Sequence, residues 1–274
     1  MNAKTIQLPM VCGVILIIVG WSAAVAQAAS IGINFVGSTS TGETLVPTDV
    51  AGVAVVAQDY WNNLQIGNGD GNGFGNTGAL AAGTVIDSAG ITDAGVAVTA
   101  GGRQGTNQSW RADCASWGFS GTNLTMMAGG IDGTPEVTVS GIPYASYDVY
   151  VYASNGAASG GGSATISVAS GATGTVAAAN TYFFEIAWTG GNFVQATATS
   201  SAQDTGATNY MDFAGNTATG FTLDCVCKAT VGSGGGWAEI TGVQIVATPE
   251  PSSLALLGLG GLLGLRGRRP RAGV

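Results

Sequence analysis

The sequence predicts an all-β protein: one two-sheet β-sandwich of the jelly-roll kind over residues 29–248, between an N-terminal signal helix and a short C-terminal apolar helix. Three observations carry this expectation. Many short segments alternate apolar and polar residues with a period of two. Runs of Gly, Asn, Asp and Ser separate them, and no helical period persists outside the two terminal segments. Glycine is 46 of 274 residues, more than twice its usual share, without the three-residue period of collagen. Hydrophobic residues are 46% and charged residues 9% of the chain, so there is apolar surface to bury and disorder is excluded.

Taken in order, residues 1–28 form an export signal. Lys4 precedes the apolar "VCGVILIIVGW", and "AVAQAAS" places Ala26 and Ala28 to frame a cut after Ala28 by signal peptidase. Cys12 stands inside the apolar run behind the bulky Val11, which argues against a lipoprotein signal. In "IGINFV", Ile31, Ile33 and Phe35 share a face; "EVTVSGI" alternates Val137 and Val139 with polar neighbours. "SYDVYVYAS" sets Tyr147, Val149 and Val151 against Asp148, Tyr150 and Tyr152. Further strands are expected in "AGVAVVA", "AGVAVTA", "NLTMMA", "SATISVAS", "TYFFEIAW", "FVQATAT", "NYMDFAG", "GFTLDCVCKA" and "WAEITGVQIVA". About ten to twelve strands suit one sandwich of this length.

The tail, residues 249–274, is a separate problem. Pro249 and Pro251 bracket Glu250 and keep that segment extended. From Leu254 to Leu265 every residue is Leu, Ala or Gly, a run covering roughly 18 Å as a helix against a hydrocarbon core of about 30 Å. It is a temporary stop rather than a comfortable span. Arg266, Arg268, Arg269 and Arg271 follow, a cluster that stays cytoplasmic and leaves everything upstream outside. The order of Pro249, Glu250 and Pro251, Ser252 and Ser253, an apolar span and arginines, behind an export signal, resembles the PEP-CTERM sorting signal of exported bacterial surface proteins. That resemblance implies a membrane-embedded exosortase as processing partner, transient inner-membrane association through the apolar transmembrane run, and delivery to the cell surface or an exopolysaccharide matrix. More distantly, "GIPYASYDVYVYAS", "GFTLDCVCKA" and "ITGVQIV" together resemble the galactose-binding-like jelly rolls carried by such proteins.

Charge and composition exclude several functions. Between residues 29 and 248 the bases are Arg103, Arg111 and Lys228 against fifteen acids, a balance that repels nucleic acid. The chain has no His, which removes Ser-His-Asp and Cys-His nucleophile pairs and His-ligated zinc. Carboxylate chemistry remains open, because a glycosidase needs two acids about 5 Å or 6.5–9.5 Å apart, yet no pattern selects a pair. Asp148, Asp212 and Asp224 are expected to face solvent from strands. Cys225 and Cys227 share a strand face, where a mutual bond would be strained, so a bridge from one of them to Cys114 is the expectation in an oxidising compartment.

Two sets of residues are candidates for binding. In "IGNGDGNGFGN", Asn68, Asp70 and Asn72 alternate before Gly73 as in the first half of a calcium loop. Ala79 replaces the closing Glu, so a plain Gly/Asn turn is the preferred reading and structural calcium the alternative. The aromatic loops offer Trp61, Asn62, Asn63, Arg103 and Trp110, a mixture of indole, amide and guanidinium groups suited to sugar C–H faces and hydroxyls. Trp188 and Trp237, in or beside apolar strands, are assigned to the core. The expected function is a non-catalytic surface or matrix protein that binds extracellular polysaccharide. A carboxylate-dependent glycan-active enzyme and a purely structural surface component are the alternatives, and clustering of Trp61, Arg103 and Trp110 around a concavity would favour glycan binding.

Overall fold

Alternation sends every second residue of the expected strands into a shared interior, and the computed structural model shows which rows meet. It describes residues 28–36, 43–66, 76–104, 114–154, 160–186, 188–201, 203, 206–227 and 238–249. The strands are β1 (Ser30–Val36), β2 (Asn62–Gln65), β3 (Asn76–Leu80), β4 (Ala97–Gln104), β5 (Ile131–Ser140), β6 (Tyr147–Ser154), β7 (Gly160–Val168), β8 (Thr181–Ile186), β9 (Tyr210–Asn216), β10 (Gly220–Val226) and β11 (Glu239–Ala247). Among the described residues the helix α1 (Gly121–Ala128) precedes β5, with a helical turn at residues 114–116 before it.

Pairing resolves the strands into a five-stranded sheet, β2-β1-β11-β6-β9, facing a six-stranded sheet, β3-β4-β5-β10-β7-β8. Setting aside β2, β3 and β4, the chain crosses between sheets at every step except β7 to β8, which is the path of a jelly roll. One strand joins the sheets at a corner. The first residues of β5, Ile131 and Asp132, pair with Ile240 and Glu239 of β11, whereas its later residues pair with β10. Between the two stretches, Gly133 has φ +81°, open to glycine alone at little cost, and Pro135 cannot donate to a ladder. The strand therefore bends there and changes sheets.

Inward rows from both sheets make the main core, including Ile31, Phe35, Val149, Phe184, Phe213 and Phe221. Buried aromatic and aliphatic side chains stabilise by about 1.5–3 kcal/mol each. Open edges are few among the described residues. The segment after β8 pairs with both β8 and β9 through Phe183–Ala198 and Gln195–Tyr210, and at the other side Gly78 of β3 lies against the Gln65 carbonyl, where a Cβ would stand 2.2 Å away. Sealed edges discourage pairing with other chains.

Two poles result. Ser30 pairs with Val246, so the start of β1 and the end of β11 leave the sandwich side by side. The strand ends that bound residues 37–42, 67–75, 105–113, 155–159 and 228–237 all lie at the opposite pole.

The fold departs from expectation in particular places. "NLTMMA" is the body of α1 rather than a strand. Leu and Met favour helix and lack the β-branch that suits a pleat, and Met126, Met127 and Ala128 are the buried residues of this short helix. "AGVAVVA" folds as a turn, with the Val56 N–H donating to the Val53 carbonyl, and "FVQATAT" contributes isolated bridges. The strands β2, mostly polar, and β3, which carries Gly78, lack the alternation that marks the others. No disulfide links Cys114 to Cys225 or Cys227. The pair lies in the core between the sheets, while Cys114 lies beyond the five-stranded sheet, so that sheet stands between them. Burial, reinforced by Asp224, pushes the Cys225 thiol well above its ordinary range. The two terminal helices lie outside the described residues, and among the described ones no helix is long and apolar enough to cross a membrane.

Candidate functional site

Begin with the residues chosen for sugar binding. Trp61 is only 4% exposed, which removes it as a stacking platform. Its indole lies over Gly32 of β1, where a Cβ would stand 2.7 Å from the ring, and edge-on to Tyr152 with centroids 6.1 Å apart. The indole N–H donates to the Gln58 carbonyl at 2.9 Å. Asn62 donates to the Gly32 and Ile86 carbonyls and accepts the Ile86 N–H. Asn63 accepts from Asn34 and the Leu45 N–H and donates to the Leu45 carbonyl. Both amides thus fasten backbone to backbone and present nothing to a ligand. The physical reason is topological: β1 and β2 are parallel neighbours, and parallel strands require a crossover. The described part of that crossover, residues 43–61, crosses the outer face of the five-stranded sheet, and Trp61 ends it.

With α1, this crossover makes a roof over the outward residues Tyr150, Tyr152 and Val246. Polar contacts fix it in place. The Tyr152 hydroxyl donates to Gln244 Oε1 at 2.8 Å and accepts the Val53 N–H at 3.1 Å. Gln244 Nε2 donates to Gln58 Oε1 at 3.0 Å and to the Val56 carbonyl. From the helix, Thr122 donates to the Val50 carbonyl and Asn123 accepts the Gly52 N–H. Burial raises the Tyr152 hydroxyl far above its usual range.

Arg103 has its backbone at the end of β4 opposite Asp132, in the six-stranded sheet, whereas Trp61 lies on the far side of the five-stranded one. The fold does not gather those two around one concavity. The Arg103 side chain, Trp110, Trp237 and the calcium-loop residues Asn68, Asp70 and Asn72 lie outside the described residues.

A different tryptophan is open. Trp188 was expected in the core, but β8 ends at Ile186 and Trp188 is 68% exposed. Gly190 and Gly191, both at positive φ, turn the chain immediately after it. Gly191 lies against the Gly118 carbonyl, leaving no room for a Cβ. Its neighbour Asn192 donates to the Thr189 carbonyl at 3.0 Å. This turn sits at the pole opposite the chain ends.

The outer face of the six-stranded sheet carries a second opening, a groove of about 540 Å³ lined by Thr77, Ala79, Thr99, Gly101 and Glu136. Hydroxyls continue across that face: Thr99, Thr138, Thr222 and Ser167 lie in one cross-strand row, with Thr138 and Thr222 oxygens 3.1 Å apart. Of the three aspartates expected to face solvent, Asp224 is exposed and Asp148 half-buried, accepting the Gly215 N–H at 2.7 Å. Asp212 is different. Partial burial and then Asp148 push its carboxyl up to about 6, against a hydrogen bond from Tyr150 that lowers it. Asp212 pairs with Tyr150 across β6 and β9, and Asp148 lies two residues before Tyr150, where the register shifts. Only their tertiary neighbours distinguish them from other strand aspartates, so sequence gave no signal.

At the other pole, β11 ends at Ala247 and is followed by Thr248 and the exposed Pro249; Glu250 and Pro251 lie outside the described residues. Residues 247–271 match the PEP-CTERM protein-sorting motif. No curated protein and no solved structure gives a match. With that motif behind a sandwich whose last strand leads into it, the chain is an exported β-sandwich protein marked for exosortase processing and sorting to the cell surface.

Proposed function

We propose that the sandwich is a non-catalytic surface or matrix component that contacts extracellular polysaccharide, with Trp188 as its stacking platform. Until processing, the apolar run from Leu254 to Leu265 tethers the domain at the membrane. The observation that carries the reading is the exposed indole at the pole away from the chain ends. An indole face suits the C–H face of a sugar ring, and the neighbouring Asn192 and Thr189 supply groups for hydroxyls. The test is retention on insoluble polysaccharide from the producing cells. Trp188→Ala should abolish retention while leaving urea unfolding within about 0.5 kcal/mol of the parent. Unchanged retention would move the contact elsewhere, and Glu136→Gln in the groove is then the comparison. No retention by the parent would leave a purely structural component.

One observation favours a second reading, a glycan-active enzyme. Asp212, raised to about 6 with Asp148 nearby on the neighbouring strand, offers a protonatable acid next to a second carboxyl group, the two group types such chemistry needs. Asp212→Asn should then abolish release of reducing ends from the same polysaccharide; the non-catalytic reading expects none from either protein.

A further inference from the structure

The last strand runs directly into the sorting motif. The Ala247 N–H donates to the Ala29 carbonyl and the Thr248 N–H to the Ser146 carbonyl, both at 2.9 Å. The hydroxyls of Thr248 and Ser146 are 2.6 Å apart. Pro249 comes next. It has no N–H, so the ladder stops there, and it holds Thr248 extended. The matched motif begins at Ala247, so its first two residues belong to the folded sandwich rather than to a linker. Five residues separate Thr248 from Leu254, at most about 20 Å of extended chain.

An enzyme that takes an extended peptide binds it through main-chain groups on several consecutive residues. Immediately upstream of Pro249 those groups are already engaged by Ala29 and Ser146. The same two residues, the last of β11 and the one after it, are its least covered end: Ala247 and Thr248 are half-buried and Pro249 exposed, whereas every residue from Glu239 to Val246 is buried. Strand ends of this kind open at far lower cost than the body of a sheet.

We infer that Ser146 and Thr248 form a latch governing presentation of the chain to its exosortase. The motif becomes a substrate when Ala247 and Thr248 peel away from Ala29 and Ser146 while β11 stays paired up to Val246. Ser146 and Thr248 are positioning residues for the processing reaction, acting on access and not on the bond that is cut. The folded domain therefore sets the maturation rate, and the chain is released already folded.

The test is a pulse-chase of the full-length chain in cells that hold the exosortase, following loss of the tail by mass. Inserting six Gly/Ser residues between Thr248 and Pro249 should raise the rate about three- to tenfold, the population change expected from releasing one or two hydrogen bonds. Ser146→Ala should raise it less. The double substitution Ser146→Cys and Thr248→Cys, once oxidised, should arrest processing, and a thiol reductant should restore it. Processing of the verified cross-linked chain at the parental rate would overturn the latch, as would an insertion with no effect. An unprocessed parent would instead overturn the sorting reading on which the inference rests.

Discussion

The two outer faces of the sandwich are built from the same alternating pattern and end in opposite environments. On the six-stranded sheet, the outward row through Thr99, Thr138, Thr222 and Ser167 is left to solvent, with short hydroxyl side chains that need no cover. On the five-stranded sheet, the outward residues Tyr150, Tyr152, Gln244 and Val246 are buried beneath residues 43–61 and α1. The difference teaches that a period of two identifies a strand but not what lies on its second face. Side-chain size and chemistry on that face carry the remaining information, since Tyr and Val have apolar area to hide and Thr and Ser have little.

The comparison can be broken or sharpened by substitution. The largest effect is expected for Tyr152→Ala, which empties a fully buried site under the roof and should lower unfolding free energy by about 3–5 kcal/mol in urea titration. A loss below about 1 kcal/mol would mean that the roof is not packed as a core. Next, Gln244→Leu keeps volume but leaves the Tyr152 hydroxyl and Gln58 amide without their partner, at about 1–3 kcal/mol. If the leucine protein is as stable as the parent, the polar network does not hold the roof down.

A smaller effect distinguishes the edge of the roofed face by pH. Burial and Asp148 push the Asp212 carboxyl up to about 6 in the folded protein, above its ordinary value of 3.8, so the folded form binds the proton more tightly. Its ionisation lowers stability as pH rises from about 4 to about 6. The amount is about 1 kcal/mol once solvent screening of a half-exposed carboxyl is allowed for. Asp212→Asn should remove that slope, which chemical unfolding at pH 4.5 and 7 would reveal; an unaltered slope assigns it to other carboxyls. The smallest effect is expected on the bare face, where the paired change Thr138→Val and Thr222→Val should stay within about 0.5 kcal/mol. A clear loss there would mean that the exposed hydroxyl row has a structural role.

Much of the fold was legible because the strands that mattered most are regular. "IGINFV", "SYDVYVYAS" and "GFTLDCVCKA" alternate cleanly and became β1, β6 and β10. The site was far less legible. Trp61 stands among polar residues in "DYWNN" and Trp188 at the end of the apolar "FFEIAW", yet the first is covered and the second open. What separates them is Gly32 on a distant stretch of β1, which makes space for the first indole, and the turn at Gly190 and Gly191, which ends the strand before the second. Asn62 and Asn63 looked available for hydroxyls, but an amide in a crossover is as readily consumed by the backbone it fastens. Likewise, Asp212 differs from Asp148 only in the cover supplied by Tyr150 and its surroundings.

By itself, the sequence determined the address and the architecture. Pro249, Glu250, Pro251, the apolar run and the arginines are local and contiguous, so the address is written in the sequence whatever fold precedes it. A period of two likewise acts between near neighbours and commits a segment to strand before any sheet exists. The tertiary structure alone decided which outward face is roofed, which tryptophan stays open, that Cys114 and Cys225 lie on opposite sides of a sheet, and that the sorting motif begins within a paired strand. Those outcomes depend on residues distant in the chain meeting in space, through a parallel crossover, a bent β5 and the register of β1 on β11. No local pattern records such meetings.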